Sequence, residues 1–105
     1  MKLSDYNLPH WKDFRISKKK KIGYRKILLL SIDRRASPPE DGRKNLLAVD
    51  DDDEILWIAD LPTSLYDSYY EMEIKDGIIY ATSSNGLMVE IDPDTGFIIK
   101  TYLVR

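Results

Sequence analysis

Residues 69–75 (YYEMEIK) alternate, with Tyr70, Met72 and Ile74 set to one side and Glu71, Glu73 and Lys75 to the other. A period of two predicts a half-solvated β-strand. Asp76-Gly77 follows, the dipeptide best suited to a two-residue hairpin turn, so residues 78–82 are expected to return alongside. Asn85-Gly86 marks a second turn into residues 87–91, and Asp92-Pro93-Asp94-Thr95-Gly96 a third into residues 97–104. The first half is less regular. Residues 11–16 alternate in part and lead into the run Lys18-Lys19-Lys20-Lys21, which reads as a solvated hairpin loop. Residues 22–32 form an Ile- and Leu-rich run, expected as a strand that is buried on both faces or bends. Residues 33–44, with Pro38-Pro39 and Gly42, can continue neither helix nor strand. Residues 46–49 and 55–59 then flank the acidic turn at 50–54, before a break at Leu61-Pro62-Thr63-Ser64. No stretch longer than ten residues holds a helical period without a strand alternative. The expectation is an all-β chain of about eight antiparallel strands.

An internal repeat organises these strands. Residues 46–61 (LLAVDDDDEILWIADL) lie over 88–103 (MVEIDPDTGFIIKTYL) at an offset of 42 without a gap, Val49 on Ile91, Asp50 on Asp92 and Leu61 on Leu103. Upstream, Ile27-Leu28-Leu29 falls on Ile78-Ile79-Tyr80 if residues 33–44 carry a nine-residue insertion, and residues 11–16 then play the part of 69–74. A period near 42 built from four strands marks a propeller blade. The expected organisation is one domain over 1–105, with repeats at about 11–61 and 66–105. Two four-stranded blade-like units would form a twisted sheet or a sandwich.

The segment DGIIYATSSNGLMVEIDPDTGFII (76–99) resembles the repeat of quinoprotein-type (PQQ-like) β-propellers, in which Ser-x-Gly-x-Leu precedes Ala-x-Asp-x-x-Thr-Gly-x-x-Trp. The second copy keeps Asn85, Gly86, Asp92, Thr95 and Gly96, with Glu90 and Ile99 where Ala and Trp are usual. The first keeps Ala48, Asp50 and Trp57, with Asp53 and Glu54 at the Thr-Gly positions. The resemblance implies blade geometry. It carries no cofactor, because family enzymes surround a central site with more blades than two.

At 105 residues there is room for one core. The absence of cysteine excludes disulfides, a thiol nucleophile and cysteine-based metal sites. The longest uncharged apolar run, residues 27–32, falls far short of the roughly 20 residues of a membrane helix. The opening MKLSDYNLPHWKDF lacks the apolar stretch of a secretory signal, so a cytoplasmic protein is expected. The net charge of −2 conceals a division. Residues 1–49 carry thirteen Lys/Arg against five Asp/Glu, a net of +8, and residues 50–105 carry three against thirteen, a net of −10. Either one half meets a charged partner or the two neutralise each other.

Candidate chemistry is sparse. His10, the single histidine, sits between Pro9 and Trp11 with no nucleophile assigned to it, and reads as an ordinary surface or packing residue. Asp50, Asp51, Asp52, Asp53 and Glu54 lack the spacing of a calcium loop and read as a solvated turn or a docking point for a basic partner. The lysine run, extended by Arg15, Arg25 and Lys26, could meet phosphates. It has no interleaved aromatics, and the acidic half would oppose a phosphate backbone. The sharper candidate is the group Tyr66, Asp67, Tyr69, Tyr70, Glu71, Glu73 and Asp76, joined to the acidic turn. Its tyrosines offer contact area at low entropy cost, and its carboxylates a field for a basic protein. With no catalytic pair, metal set or cofactor motif, a non-enzymatic binding module is expected. In size and charge the chain is similar, by class alone, to bacterial immunity proteins that neutralise nuclease toxins, including those of contact-dependent growth inhibition. That similarity implies an acidic surface masking the toxin's active-site cleft. A propeller-fragment scaffold that self-assembles or docks on a larger protein, and a nucleic-acid binder acting through the lysines, stand as alternatives.

Overall fold

The computed structural model describes residues 1–5, 16–31, 43–64 and 67–103. Eight antiparallel strands form two four-stranded sheets, each ordered as in the sequence. The first holds β1 (Ile16–Ile22), β2 (Arg25–Leu30), β3 (Leu46–Val49) and β4 (Ile55–Ile58). The second holds β5 (Tyr69–Lys75), β6 (Ile78–Ser83), β7 (Leu87–Ile91) and β8 (Ile98–Leu103). The all-β expectation therefore holds, as two sheets packed face to face. Asp76 and Gly77 both take positive φ, 52° and 76°, the geometry that lets a two-residue turn follow the twist of β5 and β6.

The N-terminal strands differ from expectation. The lysine run is a strand, not a loop: Lys18 to Lys21 pair with residues 26–29 of β2. Residues 22–32 are not one strand, because the chain reverses at Gly23-Tyr24, and β2 ends at Leu30. The strand expected over 11–16 begins at Ile16, and residues 11–15 lie outside those described. An edge strand tolerates four lysines because their heads reach water while the backbone pairs on one side.

Register defines the repeat better than the sequence alone. Val49 pairs with Lys26 and Ile91 with Ile79, so β2 falls on β6 at an offset of 53, and β1 falls on β5 at the same offset. The insertion between β2 and β3 is thus eleven residues rather than nine. Irregularities recur at matched places, between Ile16 and Lys18 and between Tyr69 and Glu71. They recur again opposite Ala48/Val49 and Glu90/Ile91. Ile55 opposes Val49 and Ile98 opposes Ile91, which gives the β7–β8 turn one residue more than the β3–β4 turn.

The core between the sheets takes Ile27, Leu29, Leu46, Ala48 and Trp57 from the first, and Tyr69, Met72, Ile79, Ala81, Val89 and Ile91 from the second. By register, the inner residues Ala81, Val89 and Ile91 match Leu28, Leu47 and Val49, which belong to the far face of the first sheet. The units therefore stack front to back, as blades do, and not as mirror images. Leu28, Leu30, Leu47 and Val49 on that far face are buried, with Leu3, Ile55 and Ile58 against them.

Two joints lock the stack. Trp57 lies over Gly96 so closely that an added Cβ would sit 2.5 Å from its Cδ2, and its Nε1 donates to the Pro93 carbonyl at 2.8 Å. At the opposite end, buried Asn45 donates through Nδ2 to the carbonyls of Leu30 (2.8 Å) and Tyr69 (2.7 Å) and accepts from the Tyr69 N–H (2.9 Å). One side chain thus satisfies backbone groups in both sheets.

Candidate partner-binding surface

The two oppositely charged halves meet. Lys18 pairs with Glu71, Arg25 with Asp94, Lys26 with Asp53, Lys44 with Asp60, and Lys2 with Glu54. Much of the sequence dipole is spent inside the fold, which decides which acids stay available.

The acidic turn between β3 and β4 is largely committed. Asp50 Oδ1 accepts from the N–H groups of Glu54 (3.0 Å) and Asp52 (2.8 Å), and these donors hold its carboxyl below the ordinary range. Asp53 meets Lys26 at 3.2 Å, and Glu54 meets the Met1 amine at 2.7 Å. Asp51 and Asp52 remain exposed. Arg25–Asp94 and Trp57–Pro93 fix the hairpin turns of both sheets at one end of the molecule. Asp51, Asp52 and Asp76 therefore share that end.

The tyrosine-rich group divides. Asp67 and Tyr69 offer no surface, which corrects their place among docking residues. Asp67 is fully buried, its Oδ1 accepting from Ser68 N (2.8 Å) and Asn85 N (3.1 Å) and its Oδ2 from the Thr63 hydroxyl (2.9 Å). It ties the inter-repeat connection to the β6–β7 turn. Tyr69 is buried with its hydroxyl donating to the Asp60 carbonyl at 2.7 Å. Burial, with the charges of Asp67 and Asp60, pushes its ionisation well above the ordinary tyrosine range. Tyr66 lies outside the described residues. The irregularity between Tyr69 and Glu71 reverses the expected alternation, sending Tyr69 inward and Tyr70 outward at 58% exposure.

What remains outward forms a surface. The outer face of the second sheet carries the cross-strand row Glu73, Tyr80, Glu90 and Lys100, and beside it the row Glu71, Thr82, Met88 and Tyr102. Glu71 is held by Lys18 at 2.6 Å, and that ammonium, with the Met72 N–H, keeps its carboxyl below the usual range. The Tyr102 hydroxyl donates to Glu90, which raises the phenol, while the Lys100 ammonium sits 5.1 Å from the Tyr102 ring centre. Tyr80, Glu90 and Tyr102 were missed in the sequence. Their alternation with Ile79, Ala81, Val89 and Ile91 was the signal that could have found them.

Among the described residues, no group of three or more His, Cys, Asp or Glu is placed to hold a metal ion, and no helix is long and apolar enough to cross a membrane. His10 lies outside the described residues. The model of a family described as a domain of unknown function, DUF7957, matches residues 15–103. Neither the curated proteins nor the solved structures contain a match to this chain.

Proposed function

The chain belongs to the DUF7957 family, and we propose that it is a non-catalytic protein-binding module whose partner is a basic protein. Its most specific form is an immunity or inhibitor protein that seats an acidic, tyrosine-bearing surface in the active-site cleft of a nuclease toxin. One observation carries this reading. The outer face of the second sheet gathers Glu71, Glu73 and Glu90 with Tyr80 and Tyr102, against two lysines of that sheet, Lys75 and Lys100, and with Lys18 of the first sheet paired to Glu71. Exposed Tyr70 lies beside this face, and Asp51, Asp52 and Asp76 extend the negative field at its turn end. Tyrosine supplies contact area, and the carboxylates supply steering toward a positive cleft.

Stacking of further blades is the weaker alternative. The outer face of the second sheet is polar where the matched positions of the first, Ile27, Leu29, Leu46 and Ala48, are apolar. The far face of the first sheet is already buried. A polar terminal face ends a stack rather than extends it.

The test is capture followed by kinetics. Immobilised protein is expected to retain a basic protein from cell extract at low ionic strength and release it as salt rises. With that protein purified, Glu73→Gln combined with Glu90→Gln is expected to slow association about tenfold and flatten its salt dependence. The captured protein is expected to be a nuclease that loses activity on binding. Retention indifferent to both salt and the double substitution refutes the reading.

A further inference from the structure

A sheet edge with unpaired backbone groups is a template for another strand, and proteins protect such edges by charge, by cover or by packing. The two sheets have four edges. The β1 edge carries Lys18 to Lys21. The β5 edge carries Glu71, Glu73 and Lys75, and lies against β1 and β2 of the other sheet. The start of the β4 edge is covered by the chain itself: Leu3 N donates to the Asp53 carbonyl and Ile55 N to the Met1 carbonyl, both at 2.8 Å, with Lys2 bridged antiparallel to Glu54. Ile98 of β8 is the register match of Ile55. Among the described residues nothing pairs with the outer side of β8, and its side chains do little to protect it. Ile99 is 55% exposed and Leu103 67%, Phe97 just before it is 69% exposed, and Lys100 is its one charge.

We propose that β8 pairs antiparallel with β8 of a second copy of this chain about a two-fold axis at Thr101, joining two second sheets into one of eight strands. The choice of occupant follows from self-complementarity. With the axis perpendicular to the sheet, opposed residues must lie on the same face, so the axis passes midway between one residue and its own copy. Centred on Thr101, the register sets Thr101 against Thr101, Ile99 against Leu103, and Lys100 against Tyr102. Each exposed aliphatic gains an aliphatic partner, and the lone cation meets an aromatic ring, of a kind it already overlies at 5.1 Å within its own chain. Centring on Lys100 instead would oppose two like charges. The pairing also sets the two outer faces side by side on one surface, although it does not depend on their role as a docking site.

The experiment uses the full chain, which contains no cysteine. Sedimentation or light scattering across roughly 1 µM to 1 mM, a range that spans weak association of small interfaces, is expected to show twice the chain mass of 12.2 kDa. Under oxidation, Thr101→Cys is expected to form a covalent dimer at least about tenfold faster than Lys100→Cys, because only the residue on the axis meets its own copy. Ile99→Lys with Leu103→Lys, at positions already more than half exposed, is expected to give a monomer with an unchanged circular dichroism spectrum. A chain that stays monomeric throughout overturns the proposal. So does a dimer that survives the double lysine substitution, or one that cross-links equally at both cysteines. None of these outcomes bears on capture of a basic protein, so the two readings fail separately.

Discussion

Replacing Gly96 by alanine presses on the joint between the sheets. Gly96 has φ near +77°, where a side chain costs about 1–2 kcal/mol through its own backbone. The added Cβ would stand 2.5 to 2.8 Å from three carbons of the Trp57 ring, so the indole must move. Trp57 is only 8% exposed and donates to the Pro93 carbonyl, so movement disturbs packing by about 1–3 kcal/mol and a hydrogen bond of about 0.5–1.5 kcal/mol. The expected loss is about 3–5 kcal/mol. Gly77→Ala is the matched control: its φ is +76° but no atom lies within 4 Å of the added Cβ, so it bears the backbone cost alone. Urea unfolding of both variants, at unchanged slope, is expected to separate them by about 2–3 kcal/mol. At about 4–8 °C per kcal/mol for a domain near this size, the melting temperatures should differ by roughly 10–20 °C. Equal losses in the two variants would refute the close apposition of Trp57 and Gly96.

Two further outcomes follow from buried polar groups. Asn45→Ala leaves the Leu30 and Tyr69 carbonyls and the Tyr69 N–H without their partner, and is expected to cost about 2–4 kcal/mol, read as a lower urea midpoint. Tyr69→Phe removes the bond to the Asp60 carbonyl and should cost about 1 kcal/mol at neutral pH. Because folding raises the Tyr69 pKa, its contribution is complete below the unfolded tyrosine value and is lost as pH climbs above it. Wild-type stability should therefore fall through the alkaline range, and the Phe variant should fall less steeply. Parallel curves would refute the burial of that hydroxyl.

The C-terminal strands were legible because β5 to β8 are short and are separated by Asp-Gly, Asn-Gly and Asp-Pro turns whose backbone demands are written in their residues. The N-terminal strands were not, because a lysine run looks the same in an edge strand as in a loop until its partner is known. Tyr69 and Tyr70 show a subtler limit. An irregularity that reverses the alternation is fixed by the partner strand, where Ser83 and Thr82 are neighbours facing Tyr69 and Glu71. Of the docking group, Asp51, Asp52, Asp53 and Asp76 at the turns and Tyr70, Glu71 and Glu73 on β5 reached the surface. Asp67 withdrew because three hydrogen bonds make its burial tolerable, and that compensation is set by tertiary contacts. The outer rows through Tyr80, Glu90 and Tyr102 emerge only when four strands are laid side by side.

The front-to-back order of the two units has a consequence for biosynthesis. Translation delivers β1 to β4 first, and the face holding Ile27, Leu29, Leu46, Ala48 and Trp57 is sealed only by residues from Tyr69 onward. Asn45 likewise waits for the Tyr69 backbone before its amide is satisfied. At typical elongation rates of about 5–20 residues per second, the first repeat spends seconds as a nascent segment with an open apolar face. During that interval it is the part of the chain that ribosome-associated chaperones would hold.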